Sequence, residues 1–168
     1  MSLDGYIAGP KGEADWIVMD PEIDFDAMGS EFDTLLMGRH TFSAMTAMGG
    51  GAGGMKIVVA SRSLDQHDYK GVTIVSDNLG QAVTALKKEP GKDIWLFGGG
   101  DLFRTLLDLN LVDTVEVGVV PVVLGQGIPL LPSPARQTRL TLTSHRLYAK
   151  TGTVSLQYDV KYSRAKKR

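Results

Sequence analysis

The chain has 168 residues, of which 43% are hydrophobic and 22% charged, a composition that excludes a disordered or fibrous protein and suits one domain with one sizeable core. Its 18 Lys and Arg against 19 Asp and Glu leave a net charge of -1, which argues against nucleic acid as the main partner, because phosphate-backbone binding needs a basic face. With 0 cysteines, disulfides, thiolate metal sites and cysteine nucleophiles are excluded.

In chain order, Asp20 is placed to cap a helix, with Pro21 at its first position and Glu22, Asp24 and Asp26 following. Thr34-Leu-Leu-Met-Gly38 reads as an apolar strand running into a helix that starts near Arg39 and continues through Thr41 to Met48. Gly49, Gly51 and Gly54 satisfy G-x-G-x-x-G, but a helix precedes them and a strand follows. The dinucleotide fingerprint requires the reverse, so this segment reads as a loop. Lys56-Ile-Val-Val-Ala60 and Val72-Thr-Ile-Val75 read as buried strands. Asn78 is placed to cap a helix from Leu79 to Lys88, with Leu79, Val83 and Leu86 on one face and Pro90-Gly91 as its stop. Asp93-Ile-Trp-Leu-Phe97 is a strand leading into Gly98-Gly99-Gly100, and a helix follows from Asp101 to about Leu109. Thr114 to Val120 is a further strand, and Thr138–Tyr148 and Thr153–Tyr162 flank a Lys150-Thr151-Gly152 turn as an antiparallel hairpin. The pattern predicts an α/β fold: three layers, a mostly parallel mixed sheet with helices on both faces, and the hairpin at one edge. It reads as a single domain over residues 1–162 with a basic tail over 163–168.

His40, His67 and His145 lack ligand spacing, so no metal site is expected. No apolar run would span a bilayer and no leader pattern opens the chain, so it reads as soluble and cytoplasmic, with no membrane partner.

Two features point to a phosphate-bearing ligand. Gly98 to Gly100 stand between a strand and a helix, where amides bare of Cβ atoms and a helix N-terminus favour an anion; Asp101 in the first turn counts against it. Phe103 occupies the third fingerprint position, which disfavours a Rossmann loop. Arg39 opens a helix whose dipole is already positive there, and Ser61-Arg62 ends a strand on a hydroxyl and a guanidinium. Solvated surface charge remains the other reading of each arginine. Among the acidic residues near Trp16, one facing an apolar pocket would have the raised pKa of a proton donor; the others read as helix-start charges.

Five segments together resemble the dihydrofolate reductase superfamily, in its riboflavin-biosynthesis (RibD) C-terminal reductase-like branch. They are Ser2-Leu-Asp-Gly-Tyr-Ile-Ala-Gly9, Leu36-Met-Gly-Arg-His-Thr-Phe42, Val59-Ala-Ser-Arg62, Leu96-Phe-Gly-Gly-Gly-Asp-Leu102 and Val120-Pro-Val-Val-Leu-Gly-Gln-Gly-Ile-Pro129. The resemblance implies a dihydrofolate-reductase-like fold and an NADPH-dependent reductase acting on a pterin or a ribosylaminopyrimidine. Gly38, Arg39 and Thr41 would meet cofactor phosphates, Ser61 and Arg62 the adenosine 2′-phosphate, and Gly98, Gly99, Gly100, Asp101 and Leu102 the pyrophosphate. Ile7 and Ala8 would lie against the nicotinamide, Asp4 and Trp16 against the substrate, and Glu22, or Asp20 after it, would supply the proton. The resemblance also implies a homodimer.

Some positions depart from the family's pattern. Its first strand normally begins several residues before Ser-Leu-Asp-Gly, whereas this sequence starts at Met1. Pro21-Glu22-Ile23 only approximates the Leu-Pro-x-Asp of folate reducers, and Gly118 stands where their supporting threonine falls. Ala47-Met-Gly-Gly-Gly51 replaces the Asp-x-Pro-x-Leu of the riboflavin-pathway reductases. A non-catalytic NADPH-binding module or redox sensor stays open as the alternative.

Overall fold

The computed structural model describes residues 1–162. Its elements are β1 (Tyr6–Ala8), α1 (Phe25–Gly29), β2 (Phe32–Gly38), α2 (Arg39–Ala47), β3 (Lys56–Ala60), β4 (Val72–Val75), α3 (Leu79–Leu86), β5 (Asp93–Gly98), α4 (Gly100–Asp108), β6 (Thr114–Val119), β7 (Ile128–Pro129), β8 (Arg139–Tyr148) and β9 (Thr153–Lys161). They divide into two compact units. One is continuous, Asp24–Thr105; the other joins Met1–Ile23 to the chain from Leu106 onward.

The continuous unit is built on a parallel sheet in the order β4-β3-β2-β5. The central strand β2 buries Thr34, Leu35, Leu36 and Met37 in succession, as a strand covered on both faces must. Leu35 and Met37 share a core with Val59 of β3 and Phe42 of α2, around which Met45, Leu64, Tyr69 and Ile74 pack. Phe42 meets the Tyr69 ring edge-on at 5.4 Å. Burying side chains of this size contributes roughly 1.5–3 kcal/mol each, which holds α2 against the sheet. The strands are in a register that matters for function: Gly38 stands opposite Ala60, and Met37 opposite Gly98. The carboxyl ends of β2, β3 and β5 therefore finish side by side.

The discontinuous unit holds two antiparallel ladders, β1-β7 and β6-β9-β8. The expected hairpin forms, and β6 is its third strand. Val115, Val117 and Val119 alternate with exposed Thr114, Glu116 and Gly118, the period-2 signature of a sheet with one apolar face. A bulge between Leu142 and Ser144 keeps the β8 apolar residues on that face despite an extra residue.

Two local expectations are corrected. No helix starts at Asp20; residues 20–23 form a turn in which the Ile23 amide donates to the Asp20 carbonyl, and α1 begins at Phe25 with Asp24 capping the Ala27 amide. Each acidic residue in that run could cap a turn, and the side chain of Asp20 is engaged elsewhere. Asn78 does precede α3, but its backbone is left-handed (φ 49°) and its side chain makes no capping bond. The Gly49–Gly54 segment is a loop, with left-handed φ at Gly49, Gly53 and Gly54. The basic tail expected at 163–168 lies outside the described residues. Among those residues no helix is long and apolar enough to cross a membrane.

Candidate functional site

In the continuous unit, the ends of three neighbouring strands deliver the predicted phosphate-binding residues to one edge. Gly38 is the N-cap of α2 in extended conformation and offers no side-chain cap, so the first amides of that helix are left for another acceptor. A Cβ on Gly38 would stand 4.0 Å from the Gly98 carbonyl oxygen and from the Gly99 nitrogen; one on Gly99 would stand 3.5 Å from Thr41 Oγ1. Gly98 has φ +129°, where side chains are rarely accommodated; the Gly98–Gly99 peptide is cis. Gly38, Thr41, Gly98 and Gly99 thus form a single bare backbone cradle with one hydroxyl in it. The Phe103 amide donates to the Gly99 carbonyl, which starts α4 directly behind the cradle.

The charged residues around that edge differ in their engagement. Arg39 is exposed, its guanidinium 3.0 Å from His40 Nε2, so the guanidinium donates and the neighbouring imidazole accepts. Sequence reasoning passed over His40 in this role. Arg62 is exposed and has no ion pair among the described residues. Ser61 is 8% exposed, and its Oγ accepts from the amides of Ser63 and Leu64 at 3.2 and 3.1 Å. Both acceptor sites are used, which turns the hydroxyl proton towards Ser63 Oγ at 3.5 Å, a long contact. Asp101 is exposed and paired with Arg104 at 3.2 Å. The Leu102 side chain is buried, so only its backbone can meet a ligand.

In the discontinuous unit the first and last of the five family-like segments meet. The Asp4 carboxylate accepts from the amides of Leu124 and Gly125 at 3.2 and 2.8 Å. A hydrogen bond with the Ser2 side chain, together with these amides, holds its carboxyl below the usual carboxylate range against some burial. Asp4 therefore fastens the loop after β6. Ile7 and Ala8 lie half-buried in β1, paired to β7. A Cβ on Gly127 would collide with the Ala8 carbonyl oxygen, so close backbone approach requires glycine there. Trp16 is half-buried and donates from Nε1 to the Glu13 carbonyl at 3.2 Å.

Neither candidate proton donor has the surroundings expected of one. Asp20 is 1% exposed. Burial pushes its carboxyl up, but hydrogen bonds from the Glu22 amide and from the Thr151 hydroxyl and amide, with the Lys150 ammonium nearby, more than offset this and hold it below its ordinary value. That is the opposite of the raised pKa the sequence suggested. Glu22 is half-exposed, 3.7 Å from Arg146 and 3.6 Å from Lys150, a solvated ion pair and not an apolar pocket. Thr151, the partner of Asp20, escaped sequence reasoning because 131 positions separate them.

The profile of the RibD C-terminal domain family matches residues 1–154. The chain is 34% identical over 171 residues to YyaP of Bacillus subtilis, covering 94% of this chain and 90% of that protein. Its fold is similar to that of a Shewanella sp. PV-4 protein named for riboflavin biosynthesis, with a TM-score of 0.82, 23% identity and 96% of each chain covered. It is similar too to a Thermotoga maritima diaminohydroxyphosphoribosylaminopyrimidine deaminase/5-amino-6-(5-phosphoribosylamino)uracil reductase. There the TM-score is 0.71 at 14% identity, over 95% of this chain and 54% of that one.

Proposed function

Since the chain belongs to the RibD C-terminal domain family, reductase-like domains of the riboflavin pathway, we propose that it is an NADPH-dependent reductase acting on a pterin or a riboflavin-pathway ribosylaminopyrimidine. The observation that carries this reading is the edge where Gly38, Thr41, Gly98 and Gly99 converge. It combines two glycine-lined helix starts with a guanidinium that has no ion pair among the described residues, the donor set an anionic cofactor requires. Gly98 to Gly100, with the Leu102 amide, take the pyrophosphate; Arg39 and Thr41 add a charge and a hydroxyl; Ser61 and Arg62 take the 2′-phosphate. When bound, NADPH supplies the hydride.

The nicotinamide and substrate roles of Ile7, Ala8 and Trp16 rest on the family resemblance alone. Asp4 acts through the loop it fastens. The proton comes from water, because Asp20 is held ionised by three donors and Glu22 is spent on two cations. Mixing the protein with NADPH and a panel of pterins, ribosylaminopyrimidines and flavins tests the proposal. Oxidation with a pterin or a ribosylaminopyrimidine supports it, whereas NADPH binding with none oxidised favours the non-catalytic module.

We propose further that the protein is a cytoplasmic homodimer. Leu140, Leu142 and Leu147 of β8 are 43%, 50% and 62% exposed. Through the β8–β9–β6 register they lie on the same face as Val115, Val117, Val119, Val154 and Leu156. An apolar face open at a ten-residue edge strand is covered most simply by the same face of a second copy. Leu142→Arg is expected to give a monomer by sedimentation velocity; a monomeric wild type overturns the reading.

A further inference from the structure

β8 is the outer strand of its sheet, and residues 139–147 along it are all exposed. The register decides which face each of them takes. Leu140, Leu142 and Leu147 stand opposite Val160, Tyr158 and Val154, and His145 stands opposite Leu156. Directly opposed residues of an antiparallel pair share a face, so the imidazole belongs to the leucine face. The bulge between Leu142 and Ser144 brings it there. In an unbroken strand, position 145 would fall on the reverse face from Leu142.

Among the described residues of this sheet, no charge on that face answers an imidazolium. Around Leu156, β9 adds apolar residues and Tyr158, and β6 adds Val115, Val117 and Val119. Tyr158 is the one other titratable group there, a phenol and not a carboxylate. The charged side chains of the same three strands, Arg139, Arg146, Glu116, Asp159 and Lys161, lie on the reverse face by the same register. Two of them are already satisfied there by a carboxylate. Lys161 reaches Asp159 at 3.0 Å, and Arg146 lies 3.7 Å from Glu22 and 4.7 Å over the Tyr148 ring.

We propose that His145 makes assembly of the homodimer pH-dependent, the uncharged imidazole entering the shared apolar face and the protonated one keeping two copies apart. This rests on the homodimer reading, in which the face is covered by the same face of a second copy. Water stabilises an imidazolium, and an apolar interface withdraws that water without supplying a carboxylate in return. A copy must therefore give up its proton in order to pair. Separate copies bind more protons than the dimer, so acidification favours separation. An imidazole makes this exchange between about pH 5 and 8, and two-fold symmetry encloses two of them per dimer. Each weakens association about tenfold per pH unit below about 6.5, which makes roughly 100-fold at pH 5.5.

Sedimentation velocity over a dilution series, at about pH 7.5 and about pH 5.5, tests this; both lie above the range near pH 4 where ordinary carboxylates titrate. Far-UV circular dichroism checks that each sample is folded. The wild type is expected to be a dimer whose dissociation constant rises about 100-fold between the two conditions. His145→Gln keeps a polar side chain without the titrating proton, and its constant is expected to move less than about threefold. His145→Leu extends the apolar face and is expected to pair at least as tightly as the wild type, with the same indifference to pH. A wild type that is monomeric in both conditions overturns the homodimer, and the switch with it. A wild-type dimer of equal strength in both overturns the switch and leaves the homodimer standing. A 100-fold weakening that persists in both variants overturns the role of His145 and assigns the proton to another group.

Discussion

Thr41 Oγ1 stands 3.5 Å from the point a Cβ on Gly99 would occupy. A single methyl is accommodated there, but the branched methyls of valine reach past that contact into the space beside the hydroxyl. Gly99→Val is expected to remain folded by far-UV circular dichroism and to lose NADPH binding in a fluorescence titration. Gly99→Ala retains binding within a few-fold. Full affinity in folded Gly99→Val would reduce the glycines to the needs of a turn. At Gly98 the constraint is conformational, since φ is +129°; Gly98→Ala is expected to cost roughly 1–2 kcal/mol in denaturant unfolding.

In the proposed reading, cofactor choice falls to Arg62. It has no ion pair among the described residues, and the Ser61 hydroxyl stands beside it with only a long 3.5 Å contact to Ser63 Oγ. Hydrogen bonds to charged groups contribute roughly 1.5–3 kcal/mol, so Arg62→Ala is expected to weaken NADPH about 10- to 150-fold while leaving NADH unchanged. Parallel titrations of both cofactors decide it. Equal losses would assign Arg62 to the pyrophosphate or to the fold.

Proton supply can be separated from both. A general acid in the transition state contributes about 100-fold or more. With Glu22 already ion-paired and exposed, Glu22→Gln is expected to change kcat less than about threefold and to leave the pH–rate profile in place. A hundredfold loss growing towards alkaline pH would restore Glu22 as the donor.

Acid stability tests the held carboxylates. Asp33 is lowered by the Lys92 amide and then by the Thr34 hydroxyl. Asp4 is lowered by Ser2, and Asp20 by its donors in excess of its burial. Depressed folded-state values mean that the unfolded chain takes up protons first. Their stabilisation is complete above the ordinary carboxylate pKa of about 4 and is lost as pH falls from there through the folded values. The melting temperature is expected to hold level from about pH 7 to 5 and then decline, more gently in Asp20→Asn. A melting temperature that rises on acidification would contradict these assignments.

The legible parts of the sequence were those whose cause is local. The run Leu35-Leu36-Met37 is apolar because a central parallel strand meets core on both faces. Gly38, Gly98 and Ser61-Arg62 could be marked because each ends a strand of that kind. What strand ends alone could not reveal is the register, Gly38 opposite Ala60 and Met37 opposite Gly98, which turns three separate motifs into one edge. Asp20 was misread as a helix cap because the residue that decides its fate, Thr151, lies 131 positions away. Asp24 had equal local credentials and is the actual cap. Asn78 had the right position, and its left-handed backbone turned the side chain away from the cap.

The discontinuity of one unit sets an order on synthesis. All four parallel strands lie within Asp24–Thr105 and are complete once that segment has left the ribosome. Residues 1–23 emerge earlier yet must wait. Ser2 bridges Val120, β1 pairs β7, and Asp20 bonds Thr151. Each contact closes a loop of more than a hundred residues, a slow class of event because chain entropy is spent before any contact forms. Residues 1–23, though made earlier than the sheet, are therefore the last to find their partners. A nascent chain stalled once Thr105 has cleared the exit tunnel would display a finished sheet with residues 1–23 still unpaired and open to chaperones.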